Sequence, residues 1–326
     1  MGYEVEIGQV LDRRFKITGQ LSQGGMATVF RALDLATLGE VAVKVPLMRY
    51  ESDPTLFRQF QREESIAASL NHPSVIRTLK LDDSVRTRPY IVTELLDGKT
   101  LDTLLLERKT IDLPLAVNLI CRLCDVLTYI HNNGVVHRDL KPGNIMCCAD
   151  ATLRILDFGL AITPTQKQIA PSGLAGGMGT LVYMAPEQAR GKRGDARVDV
   201  YALGSILYEM TTGQRPFPME DQEEAAMARV TGDPVAPSTL NKEIKPELEE
   251  IILRAIARDP NQRYPNCETL KHDLESPHLV HVTGLATRLT PPRPYRPLTR
   301  LGIKWLALAT IPLFAFGLLY FFGHRH

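Results

Sequence analysis

The stretch His137-Arg138-Asp139-Leu140-Lys141-Pro142-Gly143-Asn144, followed by Asp157-Phe158-Gly159, decides how this chain of 326 residues is read. Upstream of it lies Leu21-Ser22-Gln23-Gly24-Gly25-Met26-Ala27-Thr28-Val29-Phe30, a glycine-bearing turn between two strand patterns. Val41-Ala42-Val43-Lys44 then reads as a strand ending in a lysine, and Ala185-Pro186-Glu187 stands downstream. Short β-like runs cover Phe15–Leu21, Thr28–Leu33, Val41–Val45, Leu79–Asp82 and Tyr90–Glu94, and longer helical patterns dominate from Leu101 onward. A small β-rich part followed by a larger helical part is an α+β arrangement. No internal repeat at a solenoid period is visible.

In this order the motifs resemble those of bacterial-type (Hanks-type) serine/threonine protein kinases, over roughly residues 15–275. A lone Gly-rich turn is a weak signal, but five motifs in the right order are specific. The resemblance implies a bilobal fold: an N-terminal segment 1–14, a small lobe 15–94, a hinge 95–98 and a large lobe 99–276. It implies ATP with Mg²⁺ or Mn²⁺ as cofactors and Ser/Thr hydroxyls of proteins as acceptors. A loose phosphoryl-transfer transition state needs charge neutralisation and alignment more than covalent help. Carried onto this sequence, Lys44 holds the α- and β-phosphates, with Glu63 as its helical partner and Glu64 as the adjacent competitor. Asp157 and Asn144 supply oxygens to the metal ions, as a hard cation requires. Asp139 takes or orients the proton of the incoming hydroxyl, and Lys141 neutralises the transferring group. Lys141, with Gly179-Thr180, places the chain nearer the serine/threonine class than the tyrosine class.

The same resemblance implies that Val29, Ala42 and Met146 sandwich the adenine, with Thr93 as gatekeeper. The Glu94 carbonyl and Leu96 amide then read its edge. His137 and Phe158 are packing residues, Asp199 bonds the catalytic-loop backbone, and Glu187 pairs with Arg263. One departure stands out. Ser22, Gly24 and Ala27 occupy the three slots of the family's G-x-G-x-x-G loop. Ser and Ala restrict positive-φ conformations that glycine allows, which predicts a functional but weaker nucleotide cradle.

Between Asp157 and Glu187 the chain carries Thr163, Thr165, Ser172 and Thr180, and the run Gly173–Gly179 is glycine-rich. Such a segment needs a ligand or a phosphate to settle. Thr163, Thr165 or Ser172 is the expected autophosphorylation site, with Arg138 able to pair with the phosphate, and Thr180 is expected to help position substrate.

Charge is segregated. Residues 1–286 hold 32 basic and 37 acidic side chains, whereas Thr287–His326 holds six basic residues and no acid. An acidic globular part disfavours nucleic-acid binding. Five cysteines do not make a disulfide framework. Cys121 and Cys124 sit three apart on a helical pattern and read as packing residues in a reducing compartment rather than half of a zinc site. Residues 277–304 are proline-rich and basic, and read as a juxtamembrane tether. Trp305–Gly323 holds 19 residues without a charge, enough as a helix to cross a bilayer, and residues 324–326 form a short tail. The basic flank before the span places the preceding domain on the cytoplasmic side of a single-pass membrane protein. Similar kinases dimerise through the small lobe, so a homodimer is among the partners considered. The alternative reading is a membrane-anchored, nucleotide-binding pseudokinase scaffold, supported by the changed glycines alone.

Overall fold

The computed structural model describes residues 4–25, 27–48, 54–81, 86–159, 161 and 180–293. Strands β1 (Val10–Leu11), β2 (Phe15–Gln23), β3 (Ala27–Asp34), β4 (Gly39–Pro46) and β5 (Ile91–Glu94) form one antiparallel sheet in sequence order. Alternation along β2 buries Phe15 and Ile17 and leaves Lys16 and Thr18 outside, as a half-buried strand demands. Those two residues join Phe30, Val43, Tyr90 and Val92 in the small-lobe core. The run Leu79–Asp82 does not become a strand within the described residues. It makes only a bridge from Thr78 to Thr93 and a bond from the Leu79 amide to the Val92 carbonyl. Conversely, β1 lies in what reads as an N-terminal segment, because two residues carry no periodicity to detect.

Helix α1 (Pro54–Ser69) puts Ile66 and Ala67 into the large-lobe core, and α2 (Leu101–Arg108) and α3 (Leu113–Asn132) open the large lobe. Strands β6 (Gly98–Thr100), β7 (Ile145–Cys148) and β8 (Leu153–Ile155) form a second antiparallel sheet at the junction. Gly98 is required there. A Cβ at this position would lie 2.3 Å from the Cys147 carbonyl oxygen and 2.8 Å from the Cys148 Cα. The rest of the large lobe is α4 (Pro186–Ala189), α5 (Arg197–Thr212), α6 (Gln222–Thr231), α7 (Pro237–Leu240), α8 (Pro246–Ala255) and α9 (Cys267–Glu275). Helix α5 runs through the middle, buried on nearly every side, and Gly204 lets α8 approach its backbone. Cys121, Cys124 and Cys267 all belong to this core, at the contact of α3 with α9. Among the described residues only α3 is long and apolar enough to cross a membrane, and it is packed at the lobe's centre. The expected span Trp305–Gly323 lies outside the described residues.

The segment from Pro277 to Pro292, read from composition as the start of a tether, is docked on the large lobe. Val280, Leu285, Ala286 and Leu289 pack on its core. Glu250 on α8 accepts hydrogen bonds from the Thr283 hydroxyl and, at 3.1 Å, the Leu285 amide. Thr290 exchanges bonds with Asp233, its N–H meeting the carboxylate at 2.9 Å and its carbonyl the Asp233 N–H at 2.7 Å.

Polar groups brace each lobe. Glu187 and Arg263 form a buried bidentate pair at 2.7 and 2.8 Å. Asp34 is fully buried and takes Arg14 bidentately, both contacts at 2.8 Å, plus the Ala36 amide and the Thr37 hydroxyl. The Arg14 hydrogen bonds hold the Asp34 carboxyl down at about 2. Because this value is depressed below the unfolded one, the stabilisation is complete above about pH 4 and is lost as pH falls toward 2. With Arg14 partly exposed, it amounts to about 1–2 kcal/mol. The stability gap between wild type and Asp34→Asn, followed by urea unfolding from pH 7 down to pH 3, should therefore narrow only below about pH 4. A gap independent of pH would remove the ion pair from this account.

Candidate active site

The catalytic loop is held by a carboxylate that never meets solvent. Asp199, in the first turn of α5 and 0% exposed, accepts the backbone N–H groups of His137 at 2.9 Å and Arg138 at 2.8 Å. Its other contact is the His131 Nε2 at 2.7 Å. Burial disfavours its charge, but His131 and the backbone N–H bonds outweigh burial and keep it below the usual carboxylate range. Arg138 has φ of +68°, a strained conformation for a non-glycine residue. The two amide bonds to Asp199 hold the chain entering Arg138, and the Asp139 N–H, on the His137 Nδ1 at 3.3 Å, holds the chain leaving it.

The turn this creates presents Asp139 and Lys141 together, with Nζ 2.8 Å from Oδ2. The Asn144 amide nitrogen donates to the Asp139 backbone carbonyl at 2.9 Å, which leaves its oxygen as the end that can face a cation. Burial pushes the Asp139 carboxyl up to about 6, against the pull of Lys141. A group in that range is ionised at neutral pH yet basic enough to accept a hydroxyl proton. His137 is no competitor for the proton. Its ring is fully buried, packs at a tilt with its centroid 5.1 Å from that of Phe158, and burial pushes its pKa below the usual histidine range.

Opposite stands a second charge cluster. Lys44, on β4, reaches Glu63 of α1 at 2.5 Å and Asp157 at 3.3 Å. Burial works against its charge, but the fields of Asp157 and Glu63 prevail and hold the ammonium protonated. The choice between adjacent glutamates is settled by helix geometry: Glu63 faces Lys44, while Glu64 turns to Arg86 at 2.8 Å. Asp157 also takes the Gly159 amide at 2.8 Å, and with Lys44 this keeps it ionised despite burial. The Asp157 carboxylate and the Asn144 amide oxygen are hard donors of the kind a divalent cation carrying phosphates takes.

Strand register places the residues expected to line a nucleotide. Val29 lies opposite Lys44 across β3 and β4, Ala42 opposite Thr93 across β4 and β5, and Met146 opposite Thr100 across β6 and β7. Glu94 ends β5 and Leu96 follows in the hinge. In the Gly-rich turn the Gly24 N–H bonds the Ala27 carbonyl at 2.9 Å. Neither Ser22 nor Ala27 has a positive φ, so the conformational cost expected of them does not arise in this backbone.

Some participants give no sequence signal. His131 supports Asp199 across 68 positions, and the Gln188 side chain donates to the Arg138 carbonyl across 50. Arg62 and Arg193 lie close enough to Arg138 to oppose its charge. The Arg62 Nε and Nη2 and the Arg138 Nε are buried without hydrogen-bond partners among the described residues. Thr163, Thr165 and Ser172 lie outside the described residues.

Comparison with known proteins places this geometry. The protein kinase domain family matches residues 15–274, and the chain belongs to that family. It is 36% identical over 273 residues to the serine/threonine-protein kinase PknB of Mycolicibacterium smegmatis, covering 83% of this chain and 44% of that protein. A probable serine/threonine-protein kinase of Streptomyces coelicolor, SCO3848, is 35% identical over 269 residues, which is 82% of this chain and 40% of the relative. The chain thus spans less than half the length of these curated relatives. Among solved structures, the PknI kinase domain of Mycobacterium tuberculosis superposes with a TM-score of 0.66 at 22% identity, over 85% of this chain and 100% of that one. At that identity the likeness establishes the bilobal kinase fold.

If Asp157 is the principal metal ligand, Asp157→Asn should weaken Mg²⁺-dependent ATP binding at least about tenfold while nucleotide binding without Mg²⁺ changes little. Titration with a fluorescent ATP analogue, with and without Mg²⁺, reads both. Equal loss under the two conditions would assign Asp157 a purely structural part.

Proposed function

We propose that this chain is a serine/threonine protein kinase that transfers the γ-phosphate of Mg-ATP to protein hydroxyls. The observation that carries the reading is Asp139 and Lys141 side by side at 2.8 Å on the loop that also presents Asn144, with Asp157 bonded to Lys44. Bound Mg²⁺ supplies charge neutralisation and alignment of the phosphates. Asp139 holds the acceptor hydroxyl and takes its proton, and Lys141 stabilises negative charge on the transferring group. Lys44, kept in place by Glu63, binds the α- and β-phosphates. Asn144 and Asp157 are the residues that would hold the metal. The complete set of acid, amide and lysine groups favours catalysis over the pseudokinase scaffold.

Regulation is part of the proposal. Arg62, Arg138 and Arg193 come from three separate segments, and burial together with mutual repulsion pushes Arg62 and Arg138 below the ordinary arginine range. A phosphate dianion from Thr163, Thr165 or Ser172 would relieve both penalties. The uncharged Trp305–Gly323 span and its basic flank support tethering at the cytoplasmic face of a membrane. A small-lobe homodimer would be favoured by confinement to that plane.

The test is to incubate the full chain with Mg-ATP and a generic basic protein, then map phosphosites by mass spectrometry. Wild type should phosphorylate Ser and Thr of the acceptor and its own residues 160–178, and Asp139→Asn should do neither. ATP binding without transfer would instead establish the scaffold.

A further inference from the structure

Between Thr180 and Gln188 the backbone forms a short ledge. At one end the Tyr183 hydroxyl donates to Glu209 of α5. At the other, Gln188 takes the Ala185 N–H at 3.0 Å and donates at 2.9 Å to the carbonyl of Arg138, the neighbour of Asp139. On the kinase reading given above, a chain bringing a hydroxyl to Asp139 would pass along this ledge, because Gln188 ties it to the residue next to Asp139. Between those two fixed points stands the Met184 carbonyl. Its donor is Arg229 of α6, whose Nη1 reaches it at 3.0 Å, across 45 positions.

Arg229 is an odd choice for a structural filler. It is 0% exposed, among the largest fully buried side chains of the described residues. Its Nε donates to the Ala225 carbonyl of its own helix at 3.1 Å, which aligns the guanidinium plane along the helix and aims Nη1 outward. Interior guanidinium charge is costly, and here it is offset by hydrogen bonds to the Ala225 and Met184 carbonyls. What an apolar side chain cannot do is donate to Met184. Helix α6 contacts both α4 and the Thr180–Tyr183 turn, so a donor fixed on it sets the ledge as a whole.

We infer that Arg229 is a positioning residue for the protein substrate: by fixing the Met184 carbonyl it sets the ledge on which the acceptor chain lies, and leaves the nucleotide site untouched. Helix α6 lies outside the Lys44–Glu63–Asp157 cluster, and no residue of it is bonded there among the described residues. The effect is therefore expected on one substrate and not on the other.

The experiment compares the full chain in detergent micelles as wild type, Arg229→Met and Arg229→Lys. Arg229→Met should raise KM for the acceptor protein at least about fivefold and leave KM for ATP within about twofold, with any fall in the thermal midpoint limited to the loss of the Met184 and Ala225 bonds. Arg229→Lys, which keeps a donor, should recover most of the loss. Hydrogen exchange supplies a second reading that needs no turnover: the Tyr183 and Ala185 amides should exchange faster in Arg229→Met while the Gly159 amide does not change. An unchanged acceptor KM, or both KM values moving together with a lowered midpoint, would overturn the inference. If wild type transfers no phosphate, the kinase reading fails instead. The exchange data then decide the positioning role alone, with unaltered ledge amides counting against it.

Discussion

One buried carboxylate organises the catalytic face. Asp199 has no contact with water, and it accepts the amides of His137 and Arg138 while bonding His131. An uncompensated buried charge costs several kcal/mol, so Asp199 is stable only with its donors in place. The dependence runs the other way too. The positive φ of Arg138 is held by Asp199, which accepts the amides of His137 and of Arg138 itself where the chain enters the turn. Because α5 is itself packed on nearly all sides, the loop inherits the rigidity of the lobe's core.

From that loop the charges are laid out for phosphate. The globular part is acidic in sum, yet its cleft carries Lys44 and Lys141, each fixed against a carboxylate. Preorganised lysines cost no reorganisation at the moment of transfer, which is how electrostatic catalysis gains its advantage. The carboxylates are separated by role. Glu63 serves Lys44 and Asp139 faces Lys141, while Asp157, bonded to both Lys44 and the Gly159 amide, is held ionised and ready for a cation.

Much of this was legible in the sequence because kinase motifs are local: Asp139, Lys141 and Asn144 share one turn, and Asp157 sits one short strand beyond. The Glu187–Arg263 pair, though 76 positions apart, could be read because both ends fall in recognisable motifs. Long-range support without a motif could not. His131, Gln188, Arg62 and Arg193 look like any surface polar residue until the fold brings them to the loop. Glu63 and Glu64 are equivalent in composition, and only the 100° step of a helix separates their partners. The docking of the Pro277–Pro292 segment on the large lobe leaves no trace in composition for a different reason. The segment's prolines exclude a long helix, but Leu285 and Leu289 still find apolar surface, and Glu250 and Asp233 satisfy its backbone. Composition reports whether a segment can form a helix, not whether it can be docked.

The dependence of the site on Asp199 can be measured by amide hydrogen exchange and phosphotransfer in Asp199→Asn. Asparagine keeps the shape and one acceptor oxygen but replaces the other with a donor, so the bonds to His137 and Arg138 cannot both persist. Exchange at those two amides should quicken by at least about tenfold, and transfer should fall by at least about a hundredfold, with the domain still unfolding cooperatively. Wild-type transfer with unchanged protection at His137 and Arg138 would contradict the account.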